Sequence, residues 1–282
     1  IIMGIIAKQS IQGTIVTYLG VAVGFVTTFF VLTRFLAAEE IGLARVLVDA
    51  ATLFIGLAQL GTSSSIIRFY PHFRNKEQGT KSQDDHGFFF WTLIVPLVGF
   101  ALFTTIYCAC YEPHSRWFGE KSPLFVEYYY MVLPLAFFML YQTIFETNSN
   151  VLLRIVVPRA VRELVVRVGM LALYLLYAFR ILSLDGFVVG LCLNYAIAAL
   201  INLAYLFAMG HISFRPNWTF VRANSGLVRN YLLYTGFLFI SAIAGVLAPT
   251  LSSFFITAKM GLDHTGIYAI ATYIAVMVSI PY

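Results

Sequence analysis

Arg45, Asp49, Thr52, Gly56, Gln59 and Ser63 step through an otherwise apolar stretch at intervals of four, three, four, three and four residues. That spacing stacks them on one face of a helix. An ionisable group in hydrocarbon costs roughly 2.5–3.5 kcal/mol on insertion scales, so a stripe with a guanidinium and a carboxylate needs a reason. A second line precedes it: Gly13, Thr17, Gly20, Gly24, Thr27 and Arg34. Two arrangements satisfy both lines. In one they face a wet cavity, where Arg34 and Arg45 offer charge to an anionic ligand. In the other they are helix-packing seams, and Arg45–Asp49 is an i,i+4 pair near the membrane surface. Gly20-x-x-x-Gly24 and Gly186-x-x-x-Gly190 are small-residue packing motifs and suit a seam. Arg45, Asp49 and Gln59 suit a cavity, because a seam has no need of polar side chains.

Other polar residues take plainer readings. Asn194 and Asn202 share a face, eight residues apart, and interhelical hydrogen bonds account for them. Glu127 and Glu146 flank one apolar block and are expected at its two interfaces. Arg159, Arg162, Glu163 and Arg167 form the charged entry of the next block and fix its topology. Pro96, Pro134 and Pro249 are expected to kink their helices. Cys108, Cys110 and Cys192 lie in apolar stretches with no CxxC spacing and no histidine nearby, which points to neither a disulfide framework nor a metal site. All five histidines fall in connections. Walker A, HExxH and GxSxG sequences are absent; Gly119-Glu120-Lys121-Ser122 lacks the Gly-Lys pair. The sequence therefore reads as no enzyme, with no catalytic residue, metal or cofactor.

The elements that position these residues are membrane helices. Only 11% of the residues are charged, against about 25% in a soluble domain. With 60% hydrophobic residues and a mean hydropathy of +0.84, the surface must face lipid. The net charge of +5 is scattered between apolar blocks, so nucleic acid is excluded and membrane lipid is the simpler partner. A window of about 19 residues finds apolar blocks at 11–35, 42–67, 88–110, 126–146, 161–180, 186–208, 231–256 and 266–282. An all-α integral membrane fold with about eight transmembrane helices is expected. The first block is longer than a signal-peptide core and lacks a cleavage pattern, so it reads as a retained span. The longest connections, from 68 to 86 and from 211 to 230, hold no folded domain. Arg34, Arg45, Arg116, Lys121, Arg180 and Lys259 fall at one set of helix ends, and the remaining twelve of the 18 Lys and Arg at the other. That bias predicts a multi-pass protein with a cytoplasmic N-terminus.

An internal repeat is the most informative pattern. Shifted by 225 residues, Gly20-Val21 meets Gly245-Val246, Thr27-Thr28-Phe29-Phe30 meets Ser252-Ser253-Phe254-Phe255, and Arg34 meets Lys259. One residue further out of step, Glu39-x-x-Gly42-Leu43 meets Asp263-x-x-Gly266-Ile267. Six helices separate the copies, so both enter the membrane in the same direction. Such parallel repeats make a two-lobed transporter. Residues 1–226 are then a six-helix N-terminal lobe and 227–282 the first two helices of a truncated C-terminal lobe.

Several segments resemble bacterial oligosaccharide flippases of the multidrug/oligosaccharidyl-lipid/polysaccharide exporter superfamily. They are Ile6-Ala7-Lys8-Gln9-Ser10, Phe35-Leu36-x-x-Glu39-Glu40-Ile41-Gly42, Leu57-x-x-Leu60-Gly61 with Arg68-Phe69-Tyr70-Pro71, and Leu153-Arg154-x-x-x-Pro158-x-x-x-Arg162-Glu163. The resemblance implies two six-helix lobes rocking by alternating access in the bacterial inner membrane. The implied cargo is an undecaprenyl-diphosphate-linked oligosaccharide for surface polysaccharide, with polysaccharide assembly proteins as partners and an H+ or Na+ gradient as the energy source. Relatives attract the diphosphate with cavity cations; here Arg34, Arg45 and Lys259 hold the matching places, with Asp49 and Gln59 beside them. Alternatives are a drug/cation antiporter using Asp49, a passive lipid scramblase, and a membrane-embedded polysaccharide polymerase or ligase, for which the outer connections are small.

Overall fold

Backbone N–H and C=O groups in hydrocarbon have no partners but each other, and a helix satisfies them within one segment. The computed structural model describes residues 2–73, 87–210, 217–218, 222 and 225–279, which contain helices and no strand. In chain order we label α1 (Lys8–Phe35), α2 (Ala38–Ala58), α3 (Thr62–Phe73), α4 (Phe88–Ala109), α5 (Tyr111–Phe118) and α6 (Pro123–Glu127). Then come α7 (Val132–Val151), α8 (156–178), α9 (Leu184–Ala208), α10 (Ser225–Met260) and α11 (Leu262–Ser279). Among the described residues five helices, namely α1, α2, α4, α9 and the Gly226–Leu247 part of α10, are long and apolar enough to cross a bilayer. Of the cations behind the expected orientation, Arg74, Lys76, Lys81 and Arg215 lie outside the described residues.

Burial separates the hub from the rim. The most apolar window of α2 is 72% buried, whereas those of α1 and α4 are 22% buried and that of α10 is 11% buried. Leu233, Phe237 and Ile240 stand wide open on α10, as does Leu200 on α9. In water such a surface would aggregate; in a bilayer it is the surface that belongs there. Helix α2 packs against α11, α10, α7 and α4. Its crossing with α11 is backbone on backbone. A Cβ on Gly42 would strike the Leu262 carbonyl, and one on Gly266 would strike the Ala38 carbonyl. Each glycine thus receives the first turn of the other helix.

Two elements differ from the sequence expectation. The block at 42–67 is not one helix: α2 stops at Ala58 and α3 begins at Thr62. Leu60 and Gly61 take φ of 51° and 77°, a left-handed turn that ends the helix. Gly61 is needed there, because a Cβ would lie 2.7 Å from the Thr235 carbonyl of α10. Ser65 and Thr235 share a 2.7 Å hydroxyl contact one turn on. Pro134 sits in the first turn of α7 rather than mid-helix, where its missing N–H breaks no helix bond.

Beyond the end of α4 the chain forms an aromatic cap. Tyr107 and Tyr129 stack with ring centroids 4.1 Å apart, and each hydroxyl donates to the other residue's carbonyl. His114 of α5 lies within 4.4–4.8 Å of the Tyr129, Phe118 and Phe125 rings. Ser122 donates to the Thr257 carbonyl at 2.7 Å and fastens this cap to α10.

Candidate functional site

A cavity of about 620 Å³ lies between α1, α2, α7, α8 and α11, with Tyr195 of α9 at its edge. Two π-helical turns shape it. Thr27–Leu32 within α1 turns Thr27, Thr28 and Leu32 onto the wall, and Val161–Val165 within α8 turns Arg162 onto it. Such wide turns recur at functional sites because the extra residue re-aims side chains. Glycine sets the depth. At Gly20 a Cβ would stand 2.5 Å from the Glu163 carbonyl, so its absence lets α1 lie against α8. The Arg167 Nη1 then donates to the Gly20 carbonyl at 3.1 Å. At Gly24 a Cβ would collide with the Tyr273 hydroxyl of α11.

The wall is cationic. Arg45, Arg162 and Arg167 line it, and Glu146 is the one carboxylate among the lining residues. Arg45 Nε donates to Asp49 Oδ2 at 2.8 Å, with the carboxylate tucked behind: the side chains are 32% and 9% exposed. Arg162 reaches Glu146 Oε1 at 2.8 Å and Glu163 Oε1 at 3.3 Å. Arg167 Nη2 meets Glu163 Oε2 at 2.7 Å. These pairs orient the guanidiniums and hold their charge in place. The hydrogen bond of Arg45 uses its Nε, which leaves its two Nη groups uncommitted among the described residues. A fork of N–H donors in a low-dielectric pocket is suited to a phosphate or carboxylate.

Of the residues singled out in the sequence, Arg45 lines the cavity and Asp49 braces it from behind. Gln59 lies at the α2–α3 turn and accepts from Ser63 Oγ at 2.9 Å. Arg34 and Lys259 are exposed near the ends of α1 and α10, and neither is among the lining residues. Gly56 belongs to a seam, since a Cβ would stand 2.9 Å from Val246 Cγ2 of α10. The polar line of α2 therefore reaches the cavity at Arg45 and packs against α10 at Gly56. Asn194 bridges helices, its Nδ2 donating to the Val166 carbonyl at 3.0 Å. Asn202 is fully buried, and neither side-chain polar atom is hydrogen-bonded among the described residues.

Glu146, Arg162 and Arg167 are the residues that sequence reasoning passed over as interface and topology groups. Glu146 is not at an interface: it is 9% exposed and on the cavity wall. The missed signal is Gln142-x-x-x-Glu146-x-x-x-Asn150, a polar line at helical spacing. It runs beyond the expected helix end at 146.

Fold and site together define an α-helical integral membrane protein with a cationic internal cavity. The chain belongs to the polysaccharide biosynthesis protein family, whose match runs over residues 6–282. No curated protein and no solved structure matches it.

Proposed function

We propose that the protein is a flippase that carries an undecaprenyl-diphosphate-linked oligosaccharide from the cytoplasmic to the periplasmic leaflet of the bacterial inner membrane. One observation carries this reading: three guanidiniums face the cavity and only one carboxylate shares the lining. A diphosphate is the group such a wall attracts most strongly. The saccharide fills the polar remainder, and the prenyl chain stays in lipid. Arg45, held by Asp49, is the principal diphosphate contact. Arg34 and Lys259, which correspond under the repeat, meet the diphosphate on its way out, and Gln59 meets cargo at the opposite end of α2. The N-terminus is cytoplasmic.

Alternating access between two lobes, 1–226 and the one that begins at 227, provides the movement. The reciprocal contact of Gly42 with Leu262 and of Gly266 with Ala38 supports this division, because a shift of 224 residues exchanges the two pairs. An H+ or Na+ gradient is the proposed drive. A drug/cation antiporter is the second reading, favoured by the buried carboxylates Asp49, Glu146 and Glu163 beside the cavity. Deleting the gene in its host and measuring lipid-linked oligosaccharide on each leaflet separates the two. Accumulation on the cytoplasmic side with loss of surface polysaccharide supports the flippase. Undiminished arrival at the periplasmic leaflet overturns it, and drug resistance tied to an ion gradient would then favour the antiporter.

A further inference from the structure

Helix α7 contributes a second kind of wall, made of hydrogen-bonding capacity that the protein leaves unspent. Gln142 lines the cavity, is 5% exposed, and makes no hydrogen bond among the described residues. Asn150, two turns on, lines the same wall, and its Oδ1 is shut from solvent without a donor. Between them, Glu146 gives Oε1 to Arg162, and its Oε2 makes no hydrogen bond among the described residues. The hydroxyls of Thr143 and Thr147 donate to the helix's own carbonyls at 2.9 and 2.8 Å. Of these atoms only Asn150 Oδ1 is fully shut away without a partner; the uncommitted atoms of Gln142 and Glu146 keep accessible surface on the cavity wall, where a ligand can reach them.

The type of ligand follows from what is missing. Glu146 Oε2 and the carboxamide oxygen of Gln142 are acceptors and need a donor. An ionised diphosphate has no hydrogen to give, so it cannot satisfy them. Sugar hydroxyls and acetamido N–H groups can. The carboxamide of Gln142 offers both donors and an acceptor, which matches neighbouring hydroxyls on a ring. Residues four apart rise about 6 Å per step, close to the length of one pyranose. Tyr174 and Tyr195 line the same cavity, and aromatic rings suit the C–H side of such a sugar.

We infer that the Gln142–Glu146–Asn150 face of α7 reads the sugar residues adjoining the diphosphate and sets which glycan is accepted. This rests on the flippase reading. Cargo recognition is then divided: the arginines of α2 and α8 hold the diphosphate, and α7 selects the saccharide.

The test uses full-length protein in phosphatidylethanolamine/phosphatidylglycerol vesicles with two fluorescent probes. One is undecaprenyl diphosphate carrying the host's own oligosaccharide, and the other is bare undecaprenyl diphosphate. Wild type is expected to bind the sugar-bearing probe at least tenfold more tightly. Gln142→Met and Asn150→Leu, which keep volume and remove hydrogen bonding, should bring the two affinities within about twofold while leaving the bare probe unchanged. Retained binding of the bare probe also shows that the variants are folded. Arg45→Gln should weaken both probes. The inference is overturned if the two α7 variants keep the tenfold preference, or lose both probes equally while remaining folded by circular dichroism. Wild type that binds neither probe overturns the flippase reading itself.

Discussion

In the cavity every guanidinium has a carboxylate within 3.3 Å; in the aromatic cap His114 has three rings around it and no hydrogen bond to either ring nitrogen. Both places take polar groups away from water. The cavity supplies each guanidinium with a counter-ion. The cap does the reverse. Burial lowers the His114 pKa to about 4, so the ring stays neutral and serves as one more aromatic plate. Charges are paired along the cavity wall, and a neutral ring is packed among rings where the cap is tied down.

The sharpest way to break this contrast is to remove one member of a cavity pair. Arg45→Ala leaves Asp49 buried without its partner, which is expected to cost about 3–5 kcal/mol and lower the amount of folded protein. The double variant Arg45→Ala/Asp49→Ala should regain protein in the membrane but not polysaccharide export. Export restored along with the protein would mean that the pair is merely structural. Next in size is Gly42→Val, which drives a branched side chain into the Leu262 carbonyl. A loss of roughly 1–3 kcal/mol or more is expected, read as a lower midpoint of thermal unfolding in detergent. Gly236→Ala on the outer part of α10, where an added Cβ meets nothing within 4 Å, should leave that midpoint unchanged or slightly raised.

The smallest effect concerns the cap. His114 has a folded pKa near 4 against an ordinary value of 6.5, so between those values the unfolded chain binds a proton that the folded chain refuses. Its contribution to stability is complete above about pH 6.5 and declines as the pH falls toward 4. His114→Phe should flatten that part of the stability–pH curve. An unchanged slope would place the titration elsewhere and weaken the contrast.

Much of this arrangement was legible in the sequence. The four-residue step from Arg45 to Asp49 gave the pair that the structure closes at 2.8 Å. The apolar blocks located α4 and α9 nearly to their ends. The far end of α7 was not legible, and the reason is physical. Hydropathy treats Thr147-Asn148-Ser149-Asn150 as a loop, yet these residues are helical. Asn148 Nδ2 finds Thr92 of α4 at 3.2 Å and the Ile144 carbonyl at 2.9 Å, and Ser149 bonds the Phe145 carbonyl at 3.0 Å. Polar groups satisfied by a neighbouring helix look like water-seeking ones until that neighbour is known. The break at Leu60-Gly61 was hidden likewise, since the carbonyl that makes glycine necessary comes from Thr235.

The crossing of α2 and α11 has a mechanical consequence. Helices whose side chains interlock resist sliding, because each knob must leave its hole before it can enter the next. Where Gly42 and Gly266 meet the facing carbonyls there are no knobs, only shallow backbone surfaces held by weak contacts. Such a joint resembles a plain bearing in its surfaces: it keeps α2 and α11 close together with no interlocking teeth at the point of contact.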